Sequence, residues 1–190
     1  MCCVLKCQFH ALRLLQGGFM TQGNKAASPE PWLRGTLTDV PAVPRAVLHA
    51  LELAREDLHK WCAGLTDAQL NTRPAGIAPV AFHLRHIAGS LDRLLCYAER
   101  AALTESQIAA INTELQSGAT AEELFAEVDA ALDRSAARVR RLASADLGDR
   151  RIVGKKLLPT TLGGLLVHVA DHTQRHVGQA ITTAKLVASL

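Results

Sequence analysis

Five of the eight histidines in this 190-residue sequence fall in two short clusters, His83 with His86 and His168 with His172 and His176. On a helix, with ~1.5 Å of rise and ~100° of turn per residue, side chains four apart project from one face. His172 and His176 therefore have the spacing with which two imidazoles grip one metal ion. His168 and His172 share that spacing. A third ligand has to come from another helix, and the segment holding His83 and His86 is the only other place where histidines cluster. Three neutral imidazoles leave the charge of a divalent ion uncompensated and a coordination position open, the arrangement of reactive rather than structural zinc. Water bound there yields a hydroxide for hydrolysis, and a bound thiol yields a thiolate for attack on an electrophile. Nickel, iron and cobalt suit the same donors, and zinc is preferred on availability.

The elements that must position these rings are helices. Leu48, Leu51, Ala54, Leu58 and Trp61 recur at helical spacing from a start between Pro41 and Pro44 to about Gly64, with Glu52, Arg55, Glu56 and Lys60 opposite. The segment from Leu65 to Gly76 reads as a turn, and Pro79 suits the first position of a second helix, whose stripe is Leu84, Ile87, Leu91, Leu94, Leu95 and Ala98 and whose end is near Leu103. Thr104 to Gly118 reads as a short helical crossing. Thr120 with Glu123 then forms a capping box, opening a helix of Leu124, Val128, Ala131, Leu132, Val139 and Leu142. Arg151 to Leu157 is expected to be briefly extended before a last helix opens near Thr161. The fold class is thus all-α: a four-helix bundle with a longer crossover between helices two and three plus a short extra helix, residues 1–40 being an N-terminal tail and 41–190 the bundle.

Periodicity ranks the histidines unevenly. On the last helix Leu162, Leu166, Val169, Ala180 and Val187 mark the apolar direction, with His176 nearer to it than His172 and His168 farther out. The pair His172 and His176 is preferred, and His168 is left as a supporting partner. On the second helix the stripe leaves His83 on its flank and puts His86 nearly opposite, beside Ser90, Arg93 and Tyr97. Periodicity alone favours His83.

Composition narrows the function classes. Lysine and arginine number 21 against 18 acidic residues, and the +3 balance is spread along the chain, so no nucleic-acid surface is expected. The run Arg138 to Arg141 reads as a solvated helix face. No apolar stretch approaches the ~18 residues of a membrane span. Five cysteines without paired spacing point to reduced thiols and a cytoplasmic location, with Cys62 and Cys96 as small core fillers. Cys2, Cys3, Cys7 and His10 precede Met20, which is itself a plausible start, and they lack the features of a secretory signal. Glu52 and Glu56 are candidate bases only if the first helix faces the site. His49 and His59 read as edge packing or solvent-facing. Arg85, Arg93 and Arg175 are candidates to hold a substrate carboxylate.

The segment Pro79 to Ser90, followed by Leu165 to Gln179 with its closing His-Val-Gly-Gln, resembles the DinB/YfiT-like superfamily of metal-binding four-helix bundles. The turn from Leu65 to Pro74 is similar to the one that family places before its second helix, and the resemblance spans roughly Pro44 to Leu186. It implies the metal ligands His86, His172 and His176, with His83 the alternative to His86. If His86 is the ligand, its polar neighbours should line an open cleft at a widened end of the bundle. The resemblance further implies a metal-dependent transferase joining a low-molecular-weight thiol to a small electrophile, as in detoxification, with homodimers common among relatives. A metal-dependent hydrolase and a non-catalytic metal-binding stress protein are the competing readings.

Overall fold

A computed structural model describes residues 28–190; the expectations about Cys2, Cys3, Cys7, His10 and Met20 lie outside the described residues. Four long helices carry the fold: α1 (Ala42–Cys62), α3 (Val80–Ala98), α5 (Ala121–Leu142) and α6 (Leu162–Ala188). Two short ones, α2 (Asp67–Asn71) and α4 (Glu105–Ala110), sit in the connections, and a two-stranded hairpin, β1 (Arg150–Val153) with β2 (Leu158–Thr161), precedes α6. α1 and α3 each pack against both α5 and α6. Leu58 of α1, Leu84, Ile87, Leu91 and Leu95 of α3, Leu124 and Leu132 of α5 and Leu162 and Leu166 of α6 are almost wholly buried in one shared core.

Local chemistry sets the ends of these elements. Thr66, Thr104 and Thr120 each accept the backbone amide three residues on, while Gln69, Gln107 and Glu123 reach back, giving three capping boxes, two more than the one expected at Thr120. The stretch expected as a plain turn after α1 therefore contains α2. α3 ends at Ala98 with the last residue of its apolar stripe, short of the expected end near Leu103. Arg100 adopts a left-handed conformation (φ 62°), and the Ala101 amide donates to the Cys96 carbonyl at 2.8 Å, closing the helix end. The hairpin is antiparallel, with Arg151 opposite Thr160, and it hands the chain directly to Thr161, whose hydroxyl accepts the Gly164 amide at 3.0 Å. The Leu162 and Gly163 amides donate back to the carbonyls of Asp149 and Leu147. These bonds tie the first turn of α6 to the hairpin and so fix the azimuth at which its histidines emerge.

Several side chains depart from the sequence pattern. Trp61, placed on the apolar stripe, is 41% exposed and lies under the ammonium groups of Lys60 and Lys185, while Cys62 takes the buried position at the end of α1. Arg138 is not on a solvated face: its guanidinium is largely buried and bridges Asp92 and Glu99 at 2.7 Å each. Before α1, Leu37 and Val40 are partly buried against the core and Arg34 pairs with Glu52 and Glu56 at 2.8 and 2.6 Å. Among the described residues, no helix is long and apolar enough to cross a membrane.

Replacing Leu84 by alanine removes a side chain with no exposed surface and should cost about 2–5 kcal/mol of unfolding free energy in a urea titration. Leu158→Ala, at a position 57% exposed, should stay within about 0.5 kcal/mol.

Candidate metal centre

The seam between α3 and α6 gathers four imidazoles. His83 and His86 come from the second turn of α3, and His172 and His176 from the middle of α6. His86, His172 and His176 each offer a ring nitrogen, and those nitrogens all lie within 4.8 Å of one another. The Nε2 atoms of His86 and His172 are 2.9 Å apart, and the Nδ1 atoms of His83 and His176 are 3.1 Å apart. Phe82 stacks along the His86 ring at 5.3 Å between centroids and covers the group from the α3 side.

His83 is the buried member, 5% exposed, and it stands behind His176 rather than in the cluster of three. Periodicity identifies the more buried residue here, not the one that completes the cluster. His168 stands outside the cluster of three: it is half-exposed, its ring lies 5.3 Å between centroids from that of His172, and its near carboxylate is Asp171 at 3.7 Å. Glu52 and Glu56 pair with Arg34 on the outer face of α1 and take no part in the site. His49 is buried beside the Thr36 hydroxyl, and His59 pairs with Asp129 at 2.9 Å.

The polar face of His86 is not an open cleft. Glu114, from the stretch after α4, folds over it and is only 6% exposed. Its Oε2 lies 2.7 Å from His86 Nδ1, and its Oε1 accepts from Arg93 at 2.8 Å. Ser90, another of the polar neighbours, is itself buried. The crossover is held down by further bonds. Arg85 donates to the Gln116 carbonyl, Arg73 to that of Leu115, and the Asn71 side chain bonds the backbone of Gly118 and Ala119. Sequence reasoning missed Glu114, whose only signal is its place in a crossover between long helices, since it stands 28 residues from His86 and no spacing rule links them.

Of the three arginines considered for substrate, Arg93 is committed to Glu114 and Arg85 to the crossover backbone. Arg175 bonds Asp171 at 2.7 Å and lines a cleft of about 530 Å³ with Ile77, Phe82, His83, Gln179 and Thr182. That cleft meets the histidine group on its Phe82 and His83 side.

Burial decides the charge state of the rings. Desolvation, with a smaller contribution from neighbouring His86, pushes His83 down to about 4. His172 and His176 are likewise pushed down to about 4, first by desolvation and then by His86 and other neighbouring basic side chains. All three are neutral at pH 7, the form in which imidazole ligates metal. For Glu114, burial acts to raise the carboxyl, but the hydrogen bonds from His86 and Arg93 and the Arg93 charge outweigh it and hold the group below the usual carboxylate range.

A helical bundle carrying three convergent imidazoles on facing helices defines a class of protein with a candidate metal centre in its core. The chain belongs to the DinB superfamily, whose family model matches residues 50–180 and so includes both histidine segments. Comparison with curated proteins gives no match.

Because His83, His172 and His176 stay neutral in the fold to about pH 4 but take up protons near 6.5 when unfolded, the unfolded chain binds more protons throughout that window. Metal-free protein should therefore lose stability as pH falls from 6.5 towards 4, seen as a lower urea midpoint at pH 5.0 than at pH 7.5 in the presence of a chelator. The double variant His172→Asn, His176→Asn should lose most of that pH dependence.

Proposed function

We propose that the protein is a divalent-metal-dependent enzyme that transfers a low-molecular-weight thiol to a small electrophile, with His86, His172 and His176 holding the ion. The observation that carries the metal is the convergence of three ring nitrogens within 4.8 Å from two facing helices. The donor set fits the group: three nitrogen ligands are a frequent catalytic zinc set, and desolvation keeps His172 and His176 unprotonated at neutral pH. Zinc is the first choice, with nickel or iron acceptable to the same donors. A divalent ion held by three neutral ligands supplies Lewis acidity, lowering the pKa of a thiol or water that reaches it.

The chain's own residues do the rest. Phe82 shields the α3 side of the rings, and His83 supports His176 from behind. The adjoining cleft offers the Ile77 and Phe82 surfaces to an apolar electrophile and Arg175, Gln179 and Thr182 to polar groups. Arg175 is exposed and can exchange Asp171 for a substrate carboxylate, to which a guanidinium binds bidentately. Thiol transfer is chosen over hydrolysis on the resemblance to DinB-like bundles, since a fold alone does not fix a reaction.

Untagged protein should carry about one equivalent of divalent metal by elemental analysis, and His172→Ala should abolish it. Loaded protein should consume a thiol only when an epoxide, alkyl halide or chloro-aromatic electrophile is added, and His172→Ala should end this turnover. Turnover of an ester without thiol would move the assignment to a hydrolase, and metal binding without any turnover to a non-catalytic role.

A further inference from the structure

We infer that Glu114, clamped by Arg93 in space left free by Gly89, is the positioning residue that orients His86 and sets which of its nitrogens faces the other two histidines. The inference rests on the metal-binding reading of the cluster and adds a residue of the crossover to it. Three separate features support it.

The first is the contact itself. The carboxylate lies 2.7 Å from His86 Nδ1, so that nitrogen carries the proton and donates, leaving the Nε2 lone pair directed at His172, 2.9 Å away. A carboxylate on the far nitrogen fixes both ring orientation and tautomer, and raises the basicity of the nitrogen that ligates. The second is that the carboxylate is fixed in turn. Its other oxygen accepts from Arg93 at 2.8 Å, and both side chains are about nine-tenths buried. A buried carboxylate free to turn away from His86 would lose one of two charge-assisted bonds.

The third feature is Gly89. It lies in the middle of α3, where glycine is poorer than alanine by helix propensity. A Cβ at this position would stand 2.6 Å from Arg93 Nη1 and 2.8 Å from Glu114 Oε1. Both are ends of flexible side chains, so alanine would dislodge the clamp rather than break the helix. The glycine thus makes room for the carboxylate against α3. His83 and His176 have no such carboxylate, and the cluster depends on this one bond for the orientation of its α3 member.

The test has one arm without metal and one with it. In metal-free wild-type protein at pH 8, ¹⁵N imidazole shifts should show His86 protonated at Nδ1, and in Glu114→Gln the ring should populate both tautomers. A His86 protonated at Nε2 in the wild type overturns the inference, and this measurement needs no variant and no bound ion. In the second arm, Zn²⁺ affinity is measured by chelator competition. Glu114→Gln and Gly89→Ala should each weaken binding about ten- to a hundredfold, while the far-UV helix signal of metal-free Gly89→Ala stays that of the wild type. Glu127→Gln removes a nearby exposed carboxylate that does not touch His86, and should change affinity less than about twofold. Glu114→Gln binding within twofold of wild type, or Glu127→Gln weakening it as much as Glu114→Gln does, overturns the inference. Absence of thiol turnover would leave both arms readable, and a protein that binds no metal at all would still answer the first arm.

Discussion

Everything at the centre of this molecule depends on imidazole rings being kept dry between two helices. A histidine in water is partly protonated at neutral pH, and several protonated rings within a few ångströms would repel one another. The α3–α6 seam removes that outcome by desolvation, which drives His83, His172 and His176 down to about 4 and makes a close cluster of imidazoles compatible with a folded core. The same neutrality is the state in which imidazole can ligate a metal. Packing and chemistry therefore share one cause, the burial of α3 and α6 against each other.

Around that seam the bundle acts as a set of positional constraints. The hairpin anchors the first turn of α6 through backbone bonds to Asp149 and Leu147. The apolar stripe of α3 places Leu84, Ile87 and Leu91 in the core and leaves His86 turned towards the crossover. The crossover is then fastened by Asn71, Arg73 and Arg85 to the chain around it, which brings Glu114 over His86. Net charge is not an organising feature: arginines such as Arg34, Arg93 and Arg138 are each matched to carboxylates.

Much of this was legible in the sequence, for reasons that differ by residue. The spacing of His172 and His176 on a long amphipathic helix is a local property, and the structure brings their rings together as that spacing requires. The number and order of the long helices follow from stripes such as Leu84, Ile87, Leu91 and Leu95. The choice between His83 and His86 was not legible from periodicity, because a hydrophobic stripe predicts depth of burial and His83 is the deeper ring. His86 joins the cluster from the flank of α3, where a second covering element, the crossover, substitutes for the core. That element has little periodic pattern, so Glu114 was invisible. Trp61 and Arg138 inverted their expected places for a related reason: long amphipathic side chains find partners such as Lys185 or Asp92 on other helices, which no local pattern encodes.

If the proposed metal binding holds, imidazoles from both α3 and α6 share one ion. X-ray absorption at the zinc edge of the loaded protein tests it most directly, because multiple scattering counts imidazole rings. Three imidazole nitrogens at about 2.0–2.1 Å are expected, with the remaining scatterers light, falling to two in His86→Ala. Sulfur scattering, or a spectrum unchanged in His86→Ala, would contradict it.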